Sequence, residues 1–380
     1  MRSVRHLRKR CVDRGAPQST MHFLLLTLPC LSACGPKRPP PDFAPDPTLV
    51  QRISEIRMHT QVQVACPGRT VGARYDAVLN DGSIVPFSRE YDEENPPALH
   101  VVFLRRTSPD AYPEQNGDWD TVDDPLATAM TGFRLRAELR ADPTLDTEVT
   151  IVPEYTCFPN QRSYTGARGR RGEPGGPGPD IVVRIALLKS PFYQRLVVVT
   201  TEIGGAPSRF LLQDADIIPP ADWLVLESFG GRGGKGVDGG DGAPGAAGQP
   251  GCPGGPGGAG GAGGPGGPGA AGGQGGPFTL LVTENDRYLA GLVQPVTGGG
   301  RGGEGGSGGE GGAGGAAGPG GQRCANGQPG ADGPAGQDGP EGPSGRAGPA
   351  PRIVTVEAAD IFPRFIPQPL QDLIDYSREN

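Results

Sequence analysis

Few side chains in this sequence sit where they could do chemistry. The densest acidic stretch runs Asn116-Gly117-Asp118-Trp119-Asp120-Thr121-Val122-Asp123-Asp124. It spaces Asp118, Asp120 and Asp123 closely enough to share a hard cation such as calcium. The stretch lacks the full spacing and terminal glutamate of an EF-hand loop, so a solvated acidic turn is the plainer reading. Gly233 to Asp238 matches the opening of a calcium-binding nonapeptide repeat, but the apolar position falls on Gly240 and the motif does not recur. His59 and His100 stand outside any recognisable set of nucleophile, base and orienting acid. Gly-Gly-Lys235-Gly lacks the Gly-Lys-Ser/Thr ending of a phosphate loop. No catalytic residue is assigned, calcium is the one cofactor considered, and the expected protein is not an enzyme.

Cysteine chemistry says more. Of seven cysteines, Cys11 and Cys30 fall in a leading segment with Arg2, Arg5, Arg8, Lys9, Arg10 and Arg14 ahead of an apolar run, Phe23 to Leu31. A basic region before a short hydrophobic one reads as an export signal, too short to span a bilayer. It ends in Leu31-Ser32-Ala33-Cys34, which resembles the lipobox of bacterial lipoproteins. That resemblance implies cleavage before Cys34, which would carry a thioether-linked diacylglycerol and an amide-linked acyl chain. Several acyl chains give durable membrane anchoring. Gly35 stands where an aspartate would imply retention at the inner membrane, so the resemblance implies an outer-membrane lipoprotein facing periplasm or cell surface. Met21 is an alternative start, disfavoured because no Lys or Arg would then precede the apolar run.

Removal of residues 1–33 would leave 29 Lys and Arg against 41 Asp and Glu, a net charge of −12. Such a chain argues against nucleic-acid or anionic-membrane binding. Four cysteines then remain beyond Cys34: Cys66, Cys157, Cys252 and Cys324. An even number in an exported chain favours disulfides. Three connectivities are open. Cys66 and Cys157 flank a glycine-poor region while Cys252 and Cys324 lie inside glycine-rich ones, so pairing like with like is expected. No CxxC cluster offers a zinc site.

Glycine organises what remains. Glycine (66) and proline (43) exceed a quarter of the 380 residues, and hydrophobics are 35%, too few for one large core. Glycine holds every third position from Gly230 to Gly275, sixteen triplets in one frame, and again from Gly300 to Gly348 except at Cys324. A shorter run has Gly166, Gly169, Gly172, Gly175 and Gly178. This period fits a left-handed helix of three residues per turn with glycine along one edge. With triplets such as GAD, GPA, GQD, GPE and GPS between Gly330 and Ser344, the chain resembles bacterial collagen-like proteins over roughly 115 residues.

Two features depart from that pattern. Ten of the sixteen triplets from 230 to 277 begin Gly-Gly, and none has proline in its second position. Two glycines per turn clear two edges of the helix, where a collagen trimer needs one. The favoured reading is therefore a polyglycine II bundle of antiparallel helices within one chain, a monomer rather than a homotrimer; a trimer and disorder are the alternatives. Cys252 and Cys324 each lie near the middle of a block, where a hairpin tip would fall. Two long hairpins stapled at their far ends are expected. An arm of 22 residues at ~3.1 Å per residue is on the order of 70 Å long. Arg232, Lys235, Asp238 and Asp241 would project from it, either as a binding surface or only to keep it soluble.

The short β-branched runs Asp180–Ser190, Arg195–Ile203, Trp223–Phe229, Phe278–Asn285 and Arg352–Glu357 read as strands. The last three are expected in one sheet from which the glycine blocks leave and re-enter. The organisation is then a signal at 1–33, a proline-rich membrane spacer at 34–50 and a β domain at 51–165. A short Gly-X-Y loop follows at 166–180, strands at 181–229, a first arm pair at 230–277 and a strand connection at 278–299. A second arm pair occupies 300–350, and a closing strand with a short amphipathic tail ends the chain at 351–380. The fold class is mainly β, antiparallel and sandwich-like, with long glycine-rich polyglycine II or collagen-like arms. The expected function is a non-catalytic, lipid-anchored envelope protein for structure or surface display, adhesin-like. Its partners would be the membrane and an envelope or surface polysaccharide or protein. The alternative is a carbohydrate- or calcium-binding module in the 51–165 domain, carried on a glycine-rich stalk.

Overall fold

The computed structural model describes residues 38–380 apart from 220, 363 and 364, so the export signal expected at 1–33 and Cys34 lie outside the described residues. One helical turn, α1 (Pro47–Val50), opens this region, capped by the Asp46 carboxylate on the Thr48 N–H at 2.8 Å. Ten strands follow: β1 (Ile53–Thr60), β2 (Val64–Ala65), β3 (Thr70–Val71), β4 (Ala73–Leu79), β5 (Ile84–Pro86), β6 (Leu104–Thr107), β7 (Ala111–Pro113), β8 (Trp119–Thr121), β9 (Phe133–Leu139) and β10 (Asp142–Pro153). They form three sheets, β1-β4-β5, β2-β10-β9-β6 and β3-β8-β7, antiparallel except at the short β2–β10 contact. Period-two alternation turns Ala73, Tyr75, Ala77 and Leu79 of β4 inward, against Phe133 and Leu135 of β9 and Trp119 of β8. Two of the buried polar groups are paired in series: Trp119 Nε1 donates to the Tyr75 hydroxyl, which donates to the Gly117 carbonyl, each at 2.9 Å. Cys66 and Cys157, which follow the paired strands β2 and β10, are disulfide-bonded with Cα atoms 6.3 Å apart.

Eight strands and a helix build the second unit: β11 (Gln161–Thr165), β12 (Ile181–Leu188), β13 (Leu196–Ile203), β14 (Ala206–Asp214), β15 (Leu224–Phe229), β16 (Phe278–Thr283), β17 (Val293–Gly298), β18 (Arg352–Val356) and α2 (Gln368–Glu379). A three-stranded sheet, β11-β15-β17, faces a five-stranded one, β14-β13-β12-β16-β18. Val183, Val199 and Leu280 from one side share a core with Leu224, Leu226 and Val293 from the other. β13 reads as an unbroken apolar run because both its faces are covered. Val197 and Val199 enter this inter-sheet core, whereas Leu196 and Val198 pack with Leu370 and Leu373 of α2.

Three expectations are corrected here. First, the second unit is not mainly antiparallel: β11, β15 and β17 run parallel, as do β12, β16 and β18, and only β12-β13-β14 is antiparallel. Second, the strands at 223–229, 278–285 and 352–357 do not share a sheet, since β15 lies in one and β16 and β18 in the other. A loop that leaves one sheet and returns into the facing one lets all outgoing strands point the same way, which accounts for both corrections. Third, β11 falls inside the 51–165 span but pairs with β15, so the first unit closes at β10. Strands β14 and β17 were not legible: β14 opens on the turn glycines Gly204 and Gly205, both at positive φ, and β17 contains Pro295, tolerated because β17 is an edge strand.

Candidate functional site

Each glycine block begins where a strand of the three-stranded sheet ends, and the hydrogen-bond ladder runs on into it. β11 pairs with β15 up to Thr165 opposite Phe229; Gly166, Gly169 and Gly172 then donate to the carbonyls of Phe229, Arg232 and Lys235 at 2.8–2.9 Å in the same register. β15 and β17 do likewise. From Gly230 N–H on the Gly298 carbonyl at 2.9 Å, every third residue donates across, out to Gly251 on Pro319. On the returning side, Gly175 and Gly178 donate to Ala271 and Gln274 in the register of β12 with β16. One junction slips. β16 and β18 pair Thr279 with Arg352, but Gly275 donates to Arg346, one residue out of step, and the extra residue is taken up around Pro349-Ala350-Pro351.

The blocks also double back. Residues 254–276 return antiparallel along 230–251, with Gly273 donating to Gly231 and Gly255 to Gln249. Residues 327–348 return along 299–320, with Gly345 donating to Gly300 and Gly327 to Gly318. Between the two loops, Gly300 through Gly318 donate at every third residue to carbonyls from Gly273 down to Gly255. Cys252 and Cys324 sit at the two far turns and are disulfide-bonded, Cα atoms 5.3 Å apart.

The number of glycines in each triplet follows the number of neighbours. The 254–276 limb is central, touching limbs on several sides, and mostly repeats Gly-Gly-X; a Cβ at Gly263 would fall well inside contact distance of the Gly309 carbonyl oxygen. The 327–348 limb lies at the edge and keeps one glycine per triplet. Within 230–251 the pattern changes along the limb. Gly231 and Gly234 press against the short 166–178 loop, and where that loop stops the same frame continues as Val237, Gly240, Ala243 and Ala246.

Charged third positions pair between neighbouring limbs and, at Lys235 with Asp238, along one limb. Arg232 pairs with Glu304 at 2.7 Å, Lys235 with Asp238 at 2.8 Å, and Arg171 with Asp238 at 2.8 Å. Asp238 and Asp241 also accept the Ser307 and Glu310 N–H groups, both at 2.9 Å, and Asp338 and Asp332 accept those of Gly308 and Gly314. The ammonium of Lys235, then the Ser307 amide and the Arg171 charge, hold the Asp238 carboxyl down to about 2. Exposed ion pairs of this kind add little stability, but a carboxylate on a backbone N–H fixes register.

The fold does not bring the candidate residues of the first unit together around one position. Asp118 is tied to the Arg89 guanidinium at 2.8 Å, the Asn116 side chain at 2.7 Å and the Ala73 N–H at 3.2 Å. Asp120 accepts the Thr70 hydroxyl at 2.5 Å and pushes the neighbouring Glu114 carboxyl above its usual range. Asp123 lies beside Gly68. Among the described residues no three His, Cys, Asp or Glu converge on a metal position. His59 contacts Asp76 at the surface at 3.2 Å, while buried His100 accepts the Val102 N–H on Nδ1 at 3.1 Å, burial holding its imidazole below the usual range.

Sequence reasoning missed a cleft of about 570 Å³ in this unit, into which Arg38, Arg89, Arg106 and Arg140 project beside Val102. Arg106 donates to the Asp118 and Glu114 carbonyls and lies 5.9 Å over Trp119, and Arg140 donates to the Val102 carbonyl. Scattered arginines in an acidic chain carry no spacing signal, so nothing in the sequence marked them. No family model matches the chain, and neither a curated protein nor a solved structure matches it. Among the described residues no helix is long and apolar enough to cross a membrane.

Proposed function

We propose that this chain is a lipid-anchored envelope protein whose glycine blocks form a single-chain polyglycine II bundle, a rigid, non-catalytic element displayed from a β body. The observation that carries the reading is the continuity of register from strand into glycine limb. Such continuity makes the bundle a direct extension of the β sandwich, so it cannot swing as a tethered stalk would. Cys34 would hold the lipid, the proline-rich segment after it would act as spacer, and the Cys252–Cys324 bond would close the far end. Expression in a bacterium with a palmitate analogue tests the anchor. Label is expected on the wild-type chain and lost in Cys34→Ser; equal labelling of both would refute lipidation at that residue.

A second reading is favoured by one observation, the arginine-lined cleft of the first unit. In it, that unit binds a small anionic ligand and the bundle is its support. Arg106 and Arg140 donate to backbone carbonyls, and a cluster of guanidinium groups suits an acidic sugar or a phosphate better than calcium. Titration with an acidic and a neutral monosaccharide separates the two: acid-selective binding lost in Arg106→Ala supports it, and no binding of either removes it.

A further inference from the structure

The short 166–178 loop occupies only the near end of a longer track. Its returning limb lies beside both limbs of the 230–276 loop. It accepts the Gly231 and Gly234 N–H groups through the Gly176 and Glu173 carbonyls, at 2.8 and 2.9 Å. It donates from Gly175 and Gly178 to the Ala271 and Gln274 carbonyls, at 2.9 and 2.8 Å. The short loop turns at Arg170 to Glu173, but the two limbs beneath it run on to Cys252. Beyond that turn the same frames stay exposed. The N–H groups of Gly240, Ala243 and Ala246 and the carbonyls of Pro268, Pro265 and Ala262 have no protein partner among the described residues. Donors on one limb and acceptors on the other repeat every third residue, as in the occupied part.

Along this open track packing within the chain demands glycine less strictly than it does under the short loop. At Gly273 a Cβ would strike the Gly176 carbonyl of the short loop, so glycine is required there. At Gly261 and Gly264, farther out in the same frame, a Cβ would stand 3.1 and 3.2 Å from the Ala243 and Gly240 nitrogens, a tight contact that a backbone shift of a few tenths of an ångström relieves. Ala270, in that frame too, carries a methyl group. Yet glycine persists at 255, 258, 261, 264 and 267.

We infer that the open track binds an extended strand of Gly-Gly-X triplets, three residues per turn, supplied by another polypeptide. The strand runs parallel to the 254–276 limb, as residues 173–178 do, and extends the interface the short loop begins. This is the three-residue-per-turn counterpart of adding a strand to a sheet edge: main-chain hydrogen bonds supply affinity, and the close backbone approach selects glycine. A second copy of this chain is a poorer occupant, because its own Gly-Gly-X limbs are already bonded to one another.

The inference rests on the glycine-bundle reading, and its test separates the two. A fluorescent peptide of repeated Gly-Gly-Pro triplets, the sequence of residues 175–177, is titrated onto the oxidised wild-type chain and onto Ala243→Pro/Ala246→Pro. Proline removes the two N–H donors, suits the extended backbone, and leaves the 243 and 246 carbonyls to accept from Gly261 and Gly258. Binding to wild type, weakened about tenfold in the variant, is expected for two lost hydrogen bonds. Absent binding, or equal binding to a variant whose Gly258 and Gly261 amides remain protected from exchange, overturns the inference. So does a wild-type dimer that the variant dissociates, which would assign the track to a second copy. Unprotected Gly258 and Gly261 amides in wild type would instead overturn the bundle itself.

Discussion

At the scale of single residues, a glycine here matters by what its missing side chain makes room for. Gly263→Ala would drive a Cβ into the Gly309 carbonyl and is expected to cost about 1–3 kcal/mol, as overpacking does. Gly240→Ala, with nothing within 4 Å of the new atom, is expected to raise stability by ~0.4–1 kcal/mol through the unfolded state. Thermal denaturation of the pair checks this, and equal destabilisation would contradict the limb arrangement. Asp238 makes the matching electrostatic prediction. Its folded carboxyl titrates at about 2 against an ordinary 3.8, so its contribution is complete above pH about 4 and is lost as pH falls towards 2. Exchange at the Ser307 amide, which Asp238 caps, should quicken over that window; a flat profile would show the carboxylate is not holding it. The clustering of Asp118, Asp120 and Asp123 was legible in sequence, but their use was not. Arg89 is brought to Asp118 only by the fold, and its guanidinium converts a candidate cation ligand into an ion pair.

At the scale of elements, the triplet period and the five apolar runs were legible because each is local. The strands found at 181–188, 196–203, 224–229, 278–283 and 352–356 match runs of β-branched residues that need no partner to be recognised. Which strands pair, and in which direction, was not legible, because it depends on each glycine loop joining two facing sheets. β14 and β17 escaped for the opposite reason: Gly204-Gly205 and Pro295 look like interruptions until an edge position explains them. The far-end disulfide gives an element-scale prediction. Cys252 and Cys324 are 72 residues apart, and closing such a loop is worth about 4 kcal/mol in the chain-entropy account. In Cys252→Ser/Cys324→Ser, amides at Gly248 and Gly254 should exchange faster, while Gly230 and Gly275, anchored beside the sheets, should change little. Uniform loss along the limbs would mean the bundle unfolds as a unit rather than fraying from its tip.

For the whole molecule, the proposed role follows from mechanics. The second β unit supports glycine limbs whose hydrogen bonds begin in its sheets, and the first precedes it, tied by Cys66–Cys157. Rooted in those sheets at one end and closed by Cys252–Cys324 at the other, the limbs have few places to bend. The central claim is that the glycine blocks pack with one another inside one chain, and amide exchange resolved residue by residue tests it most directly. In 254–273 two N–H groups of most triplets are bonded, such as Gly257 and Gly258, whereas in 327–345 the glycine N–H is bonded and the other two are not. The account predicts slow exchange at two positions per triplet in the first limb and one in the second, from a protein that sediments as a monomer. Protection at a single glycine per triplet in both limbs, from a trimer, would contradict it, as would fast exchange throughout.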